Sequence, residues 1–179
     1  MSIVATSDFT AGITRIAKPN GNTTLEDVIT LTTENTLRFL MGDKLYGLYV
    51  ADLDANGNPQ TQKYKDLVNG VTYTDCNGYE VIYIGLKQML KYFVFSEWKT
   101  ENTFRDAATG TVQQDSDVSN KATLLSITIE SNRFFDKGLR LYNMAIKFIY
   151  NHRDDYFTDI SNWTYTRLEQ RSKLKTITV

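Results

Sequence analysis

The sequence predicts a mainly α protein, a helical bundle built on two long helices with a small β-hairpin and extended arms at both ends. Three observations carry that expectation. A seven-residue repeat between Val118 and Asn151 places Leu124, Ile127, Ser131, Phe134, Gly138, Leu141, Ala145 and Phe148 on one seam, with Thr128, Phe135, Tyr142 and Ile149 beside it. A second apolar run with helical spacing extends from Leu86 to Glu101. Between Tyr64 and Ile84 the period drops to two on either side of Asn77-Gly78, a pair that favours a two-residue hairpin turn.

Residues 1–22 mix Ile3, Val4, Phe9, Ile13 and Ile16 with Ser, Thr and Gly without sustained periodicity, which predicts an extended arm held down by the fold or by a neighbour. Thr23 or Thr24 can cap a short helical turn, with Glu26 and Asp27 at its positive end. A firmer helix follows over Leu31 to Met41, its apolar face made by Leu37, Leu40 and Met41, and Gly42 breaks it. Asp43 then opens a further helix through Leu53, where Leu45, Leu48 and Tyr49 share a side that Tyr46 and Val50 widen. The chain turns over Asp54 to Pro59, and Val71, Tyr73, Tyr79, Val81 and Tyr83 alternate along the hairpin.

On the helix from Leu86 to Glu101, the core arc is Leu86, Met89, Leu90, Phe93 and Val94. Tyr92, Phe95 and Trp98 fall outside it, among Lys87, Lys91 and Lys99. Large rings on the wet side of a helix predict a second covered surface, here a contact between subunits. Glu97 turns towards the core arc and needs a cation such as Arg133 or Arg140. Ser131, Gly138 and Ala145 recur where a missing side chain lets a second helix lie close, and the helix from Leu86 is the expected partner.

Residues 102–119 form a polar loop longer than most connections in compact domains. After Asn151, Tyr156, Phe157, Ile160 and Trp163 resume the apolar pattern. Arg167, Arg171, Lys173 and Lys175 then lead to Leu174, Ile177 and Val179, whose spacing and Thr content suit a terminal strand. Arg167, Arg171, Lys173, Lys175 and Ile177 are the candidates for docking on another chain. The expected organisation is an arm over 1–22, a helical domain over 23–164 that includes the 102–119 loop, and a basic arm over 165–179.

Net charge is −1, so nothing global attracts nucleic acid or an acidic membrane. The charge is uneven: residues 121–179 carry ten Lys or Arg against six Asp or Glu, and residues 1–60 carry four against seven. One cysteine, Cys76, excludes an intramolecular disulfide and a multi-cysteine zinc site, and favours a reducing compartment. No leader-like start and no apolar run long enough for a membrane span is present, so the expectation is a soluble, unsecreted protein.

Asp52-Leu-Asp54-Ala-Asn56-Gly57 matches the first half of a calcium loop, but Lys63 stands where a bidentate Glu is required, which leaves a plain Asx-rich turn. The sole histidine, His152, sits at the end of the long helix, where a cation complements the helix C-terminus. Without a second histidine near a nucleophile, and without a phosphate-cradling Gly loop, no catalytic residue, metal or cofactor is expected. Carboxylate-only hydrolysis has no positive sign. The basic cluster at 167–175 supports an alternative, a monomeric nucleic-acid-binding accessory protein.

The blocks Phe39-Leu-Met-Gly-Asp-Lys-Leu-Tyr46, Tyr64-Lys-Asp-Leu-Val-Asn-Gly70, Gly85-Leu-Lys-Gln-Met-Leu-Lys-Tyr-Phe-Val-Phe-Ser-Glu-Trp98 and Leu141-Tyr-Asn143 occur in an order that resembles the head–tail connector proteins of tailed bacteriophages. The likeness is to connector or ring proteins of phages of gut Bacteroidota, including crAss-like phages, and spans residues 30–150. It implies a non-catalytic adaptor of the virion that assembles as a homo-oligomeric ring of twelve copies under the portal protein. Such a ring continues the DNA channel without sequence-specific contact, meets adjacent connector or tail proteins, and involves no membrane. The N-terminal arm and the basic tail after Arg167 depart from that pattern.

Overall fold

The computed structural model describes residues 3–16, 24–101, 104–107, 110–113, 124–157 and 163–171. The chain is mainly helical with a small antiparallel hairpin, as the periodicities require. In order the elements are α1 (Leu25–Ala51), α2 (Gln62–Asn69), β1 (Val71–Thr74), β2 (Glu80–Tyr83), α3 (Leu86–Glu101), β3 (Phe104–Ala107), β4 (Gly110–Gln113), α4 (Leu124–Asn151) and α5 (Arg153–Tyr156).

The arm over residues 3–16 is held by the chain's own fold. Val4 and Phe9 are buried in the common core, and the Asp8 carboxylate lies 3.0 Å from the Lys87 ammonium on α3. Burial works against that carboxylate, but the Ala5 N–H and Lys87 outweigh it and hold the Asp8 carboxyl below its ordinary value of 3.8. A depressed carboxyl stabilises the folded state above its unfolded pKa, and that contribution is lost as pH falls through the folded value. Hydrogen exchange over residues 5–16 should therefore rise in acid, below the ordinary 3.8, before exchange in α3 does.

Thr24 caps α1 by accepting from the Asp27 N–H, while the Asp27 carboxylate accepts from the Thr24 N–H. The short turn and the helix from Leu31 expected separately are one helix, because nothing between them breaks it. The break falls at Gly42, as expected, with φ 66° and ψ 167°. That break strips the preceding turn of intrahelical donors, and the C-terminal segment supplies two. Thr166 N–H donates to the Phe39 carbonyl at 2.8 Å, and Trp163 Nε1 donates to the Leu40 carbonyl at 3.2 Å. A Cβ on Gly42 would stand 2.8 Å from the Thr164 carbonyl oxygen, so the same glycine opens the helix and admits the segment that covers it.

The period-two reading begins too early, since residues 62–69 are helix α2. Its Tyr64, Leu67 and Val68 are buried together at helical spacing. The hairpin itself pairs Val71 with Tyr83 and Tyr73 with Val81, which puts these four on the inner face. Its loop is longer than the two residues expected. Asp75 accepts from the Asn77 and Tyr79 N–H groups through Oδ1, so the turn spans Asp75 to Tyr79 and leaves Tyr79 outside the alternation.

The helix from Leu86 to Glu101 has the ends the sequence predicts, and it packs along α4. The small-residue stripe works as expected. The Gly138 position lies under Phe93, where a Cβ would come within 3.0 Å of the ring, and Ser131 and Ala145 are buried. At the near end of that seam the Ser96 hydroxyl lies 3.0 Å from the Ser131 hydroxyl, which is also 2.9 Å from the Thr100 hydroxyl. Ser96 and Ser131 are buried and satisfy each other there, while Thr100 extends the chain of hydroxyls to the exposed end of α3. The 102–119 loop is not wholly irregular: β3 and β4 form a second antiparallel hairpin within it.

Candidate interaction surface

The rings assigned from sequence to a subunit contact are covered by the subunit itself. Phe95 is 3% exposed and Trp98 6% exposed, and Tyr92 is half-buried. The Phe95 ring meets Phe134 of α4 edge-on at 4.5 Å, and Tyr92 lies 6.0 Å from the same ring. Lys137 reaches over Phe134 at 4.6 Å, and Lys99 over Phe95 at 5.5 Å, so their stems screen the rings from water. The physical reason for the correction is that α3 is an inner helix, with α1 packed on one side and α4 on another. Two arcs therefore have to be apolar without any second copy. Trp98→Ala should consequently report on folding: a loss of about 3–5 kcal/mol, seen as a lowered thermal midpoint with the helical signal melting early.

Glu97 has the cation it needs, though from an unexpected quarter. Its Oε1 accepts from an Arg171 guanidinium nitrogen at 2.6 Å, whereas Arg133 and Arg140 are exposed. The guanidinium also lies 3.9 Å above the Phe135 ring, and the Arg171 N–H donates to Asp136 Oδ1 at 3.0 Å. Arg171 is thus drawn inward as the end of a strap over residues 163–171 that also leans on α4 through Tyr142, whose hydroxyl donates to the Thr166 carbonyl. The assignment of Arg171 to docking on another chain is corrected on that ground. Arg167 is exposed; Lys173, Lys175 and Ile177 lie outside the described residues. Both partners of the ion pair are about one-third exposed, so Arg171→Ala should cost only about 1 kcal/mol. Its clearer signature is faster proteolysis within residues 163–171, an effect that added salt should mimic in the parent.

The Asx-rich turn holds by geometry, and His152 lies at the end of α4 where the sequence places it. Asp54 Oδ1 accepts from the Asn56 and Asn58 N–H groups, and Asp52 Oδ2 accepts from the Gln60 and Thr61 N–H groups. The Lys63 ammonium donates to the Asp155 carbonyl at 2.8 Å. Among the described residues no cluster of three metal-ligating side chains forms. His152 Nδ1 lies 2.9 Å from the Phe148 carbonyl oxygen, so that nitrogen carries the proton, and the ring packs on Phe148 and Tyr73. The histidine fastens the hairpin to the end of α4.

The apolar surface left over lies elsewhere. On the first hairpin Tyr79 in the turn is 71% exposed, and Ile82 and Ile84, in the phase opposite the inner face, are 69% and 47% exposed. On α1, Leu31, Phe39, Leu48 and Val50 are also exposed. The hairpin patch had a readable signal: in Val81-Ile82-Tyr83-Ile84 both phases of the strand are apolar, which predicts two covered faces, and the bundle covers only one. Among the described residues no helix is long and apolar enough to cross a membrane.

A family model matches residues 37–168, and its description is a family of unknown function (DUF6712). No curated protein and no solved structure matches the chain.

Proposed function

The chain belongs to that family of unknown function, DUF6712, and from this premise we propose that it is a non-catalytic structural subunit of a phage particle. In this reading it forms a homo-oligomeric connector ring of about twelve copies, the number its likeness to head–tail connectors implies, and such rings close by repeating one heterologous contact. The ring sits in the virion between the portal protein and the tail and continues the channel through which DNA passes.

The observation that supports this best is the mismatch between a closed core and a greasy exterior. The subunit already buries Phe95 and Trp98 of α3, yet it leaves Tyr79, Ile82 and Ile84 exposed on one hairpin. Contiguous apolar patches on a finished fold mark protein interfaces. The contact between copies therefore moves from α3, where the sequence put it, to the hairpin and the exposed side of α1. A net charge of −1 suits a lumen past which DNA slides without sticking. The inward use of Arg171 weakens the basic cluster that a nucleic-acid-binding accessory protein would need.

Sedimentation of the purified chain, with and without duplex DNA at low salt, separates the two roles. A single large species independent of DNA is expected. A single-subunit species that shifts only with DNA, and loses it with added salt, would favour the accessory role instead.

A further inference from the structure

We infer that the outer face of the first hairpin is the receptor for the C-terminal segment of a second copy, residues 172–179 of one chain lying alongside β2 of the next. The inference rests on the ring reading above and names the contact that repeats around it.

The receptor is built for an added strand. β1 and β2 form a two-stranded sheet, and among the described residues no further strand pairs with β2. Two short strands are marginal by themselves, and a third both satisfies the free edge and covers exposed side chains. Here those side chains are Tyr79, Ile82 and Ile84. The charge is one-signed as well: residues 71–84 contain Asp75 and Glu80 and no Lys or Arg.

The complementary ligand is in the same sequence. Ser-Lys-Leu-Lys-Thr-Ile-Thr-Val over 172–179 contains Lys173 and Lys175 and no acid, and it ends in alternating β-branched residues. One parallel register satisfies charge and apolar contact together. It sets Lys175 beside Glu80, Ile177 beside Ile82 and Val179 beside Ile84.

The direction of the strap argues that donor and receptor are different chains. Along α4 the strap touches Tyr142 at Thr166 and Asp136 at Arg171, so it runs towards the N-terminal end of α4. The hairpin packs at the other end, on Phe148 and His152. From Asp136 back to Phe148 is roughly 18 Å of helix. Eight residues span at most roughly 26 Å, so a tail doubling back would have about two residues left to pair. A neighbour in a head-to-tail ring has no such shortfall.

The lone Cys76, exposed in the hairpin turn, makes the test clean. In the proposed register Ser172 falls beside Asn77, so Ser172→Cys in the full chain should join Cys76 of the next copy through a short bis-maleimide. The expected result is a ladder of covalent multimers that neither the parent nor the Ser172→Cys, Cys76→Ser double variant gives. Lys175→Glu should reduce the assembled fraction at least tenfold, and adding Glu80→Lys should restore it. Glu80 is exposed and outside the core cluster, and an unchanged helical signal in each variant separates lost assembly from lost folding. Parent rings that form while the cross-link is absent, or closes only within one chain, overturn this contact and leave the ring standing. A parent chain that stays single sinks both.

Discussion

Gly85→Ala should be among the most damaging small substitutions in the described residues, lowering stability by about 3–5 kcal/mol and the thermal midpoint by roughly 10 °C. Gly85 has φ 93° and Gly70 has φ 89°, and the two backbones press against each other where α2 leads into β1 and β2 leads into α3. A Cβ on Gly85 would stand 2.5 Å from the Gly70 nitrogen and 2.6 Å from the Asn69 carbonyl carbon. Those are backbone atoms, which cannot rotate aside. The left-handed conformation alone costs an L-residue roughly 1–2 kcal/mol, and the clash adds to it. Gly78→Ala separates the two terms, since Gly78 has φ 83° and nothing within 4 Å of its would-be Cβ. It should cost only the conformational part, about 1 kcal/mol.

Phe148→Ala should lose about 3–5 kcal/mol, because a fully buried ring leaves a cavity that its neighbours only partly fill. The neighbours are themselves the joint. Phe148 stacks on Tyr83 at 4.3 Å and 9°, meets Tyr73 edge-on at 5.3 Å, and touches His152 and Tyr156. Removing it unfastens the hairpin and α5 from α4 at once. Amide exchange in residues 71–83 should accelerate more than exchange in the α3–α4 seam around Ser96 and Ser131. Phe148→Leu, nearer in volume, should keep most of the loss below about 1.5 kcal/mol. If the hairpin is the surface on which copies meet, the alanine variant should also assemble poorly at temperatures where its helices are intact.

The parts of this fold that were legible are those set by local chemistry. The seven-residue seam of α4, the small Gly138 under Phe93, the break at Gly42 and the presence of a hairpin around Asn77-Gly78, though not its longer Asp75–Tyr79 loop, each follow from a few neighbouring side chains. The errors are tertiary. A helical wheel shows that α3 has two apolar arcs but not whose surface covers the second: the chain's own fold buries Phe95 and Trp98, and Phe134 of α4 lies against Phe95 and Tyr92. Glu97 was known to need a cation, yet nothing local could select Arg171, 74 residues away, over Arg133 or Arg140. The α2 helix was missed because Tyr64, Leu67 and Val68 make too short a run to establish a period. The hairpin patch is legible in the sequence, where Ile82 and Ile84 are apolar in the phase opposite Val81 and Tyr83.

A subunit that buries Phe95 and Trp98 of α3 and leaves apolar side chains of its hairpin exposed is expected to meet copies of itself. Negative-stain imaging of the purified full chain tests that most directly. Closed rings of uniform diameter with an open centre, present in the parent and lost in an Ile82→Asp, Ile84→Asp variant that keeps its helical signal, are the expected result. Fields of dispersed single subunits at every concentration, in the parent as in the variant, would contradict it.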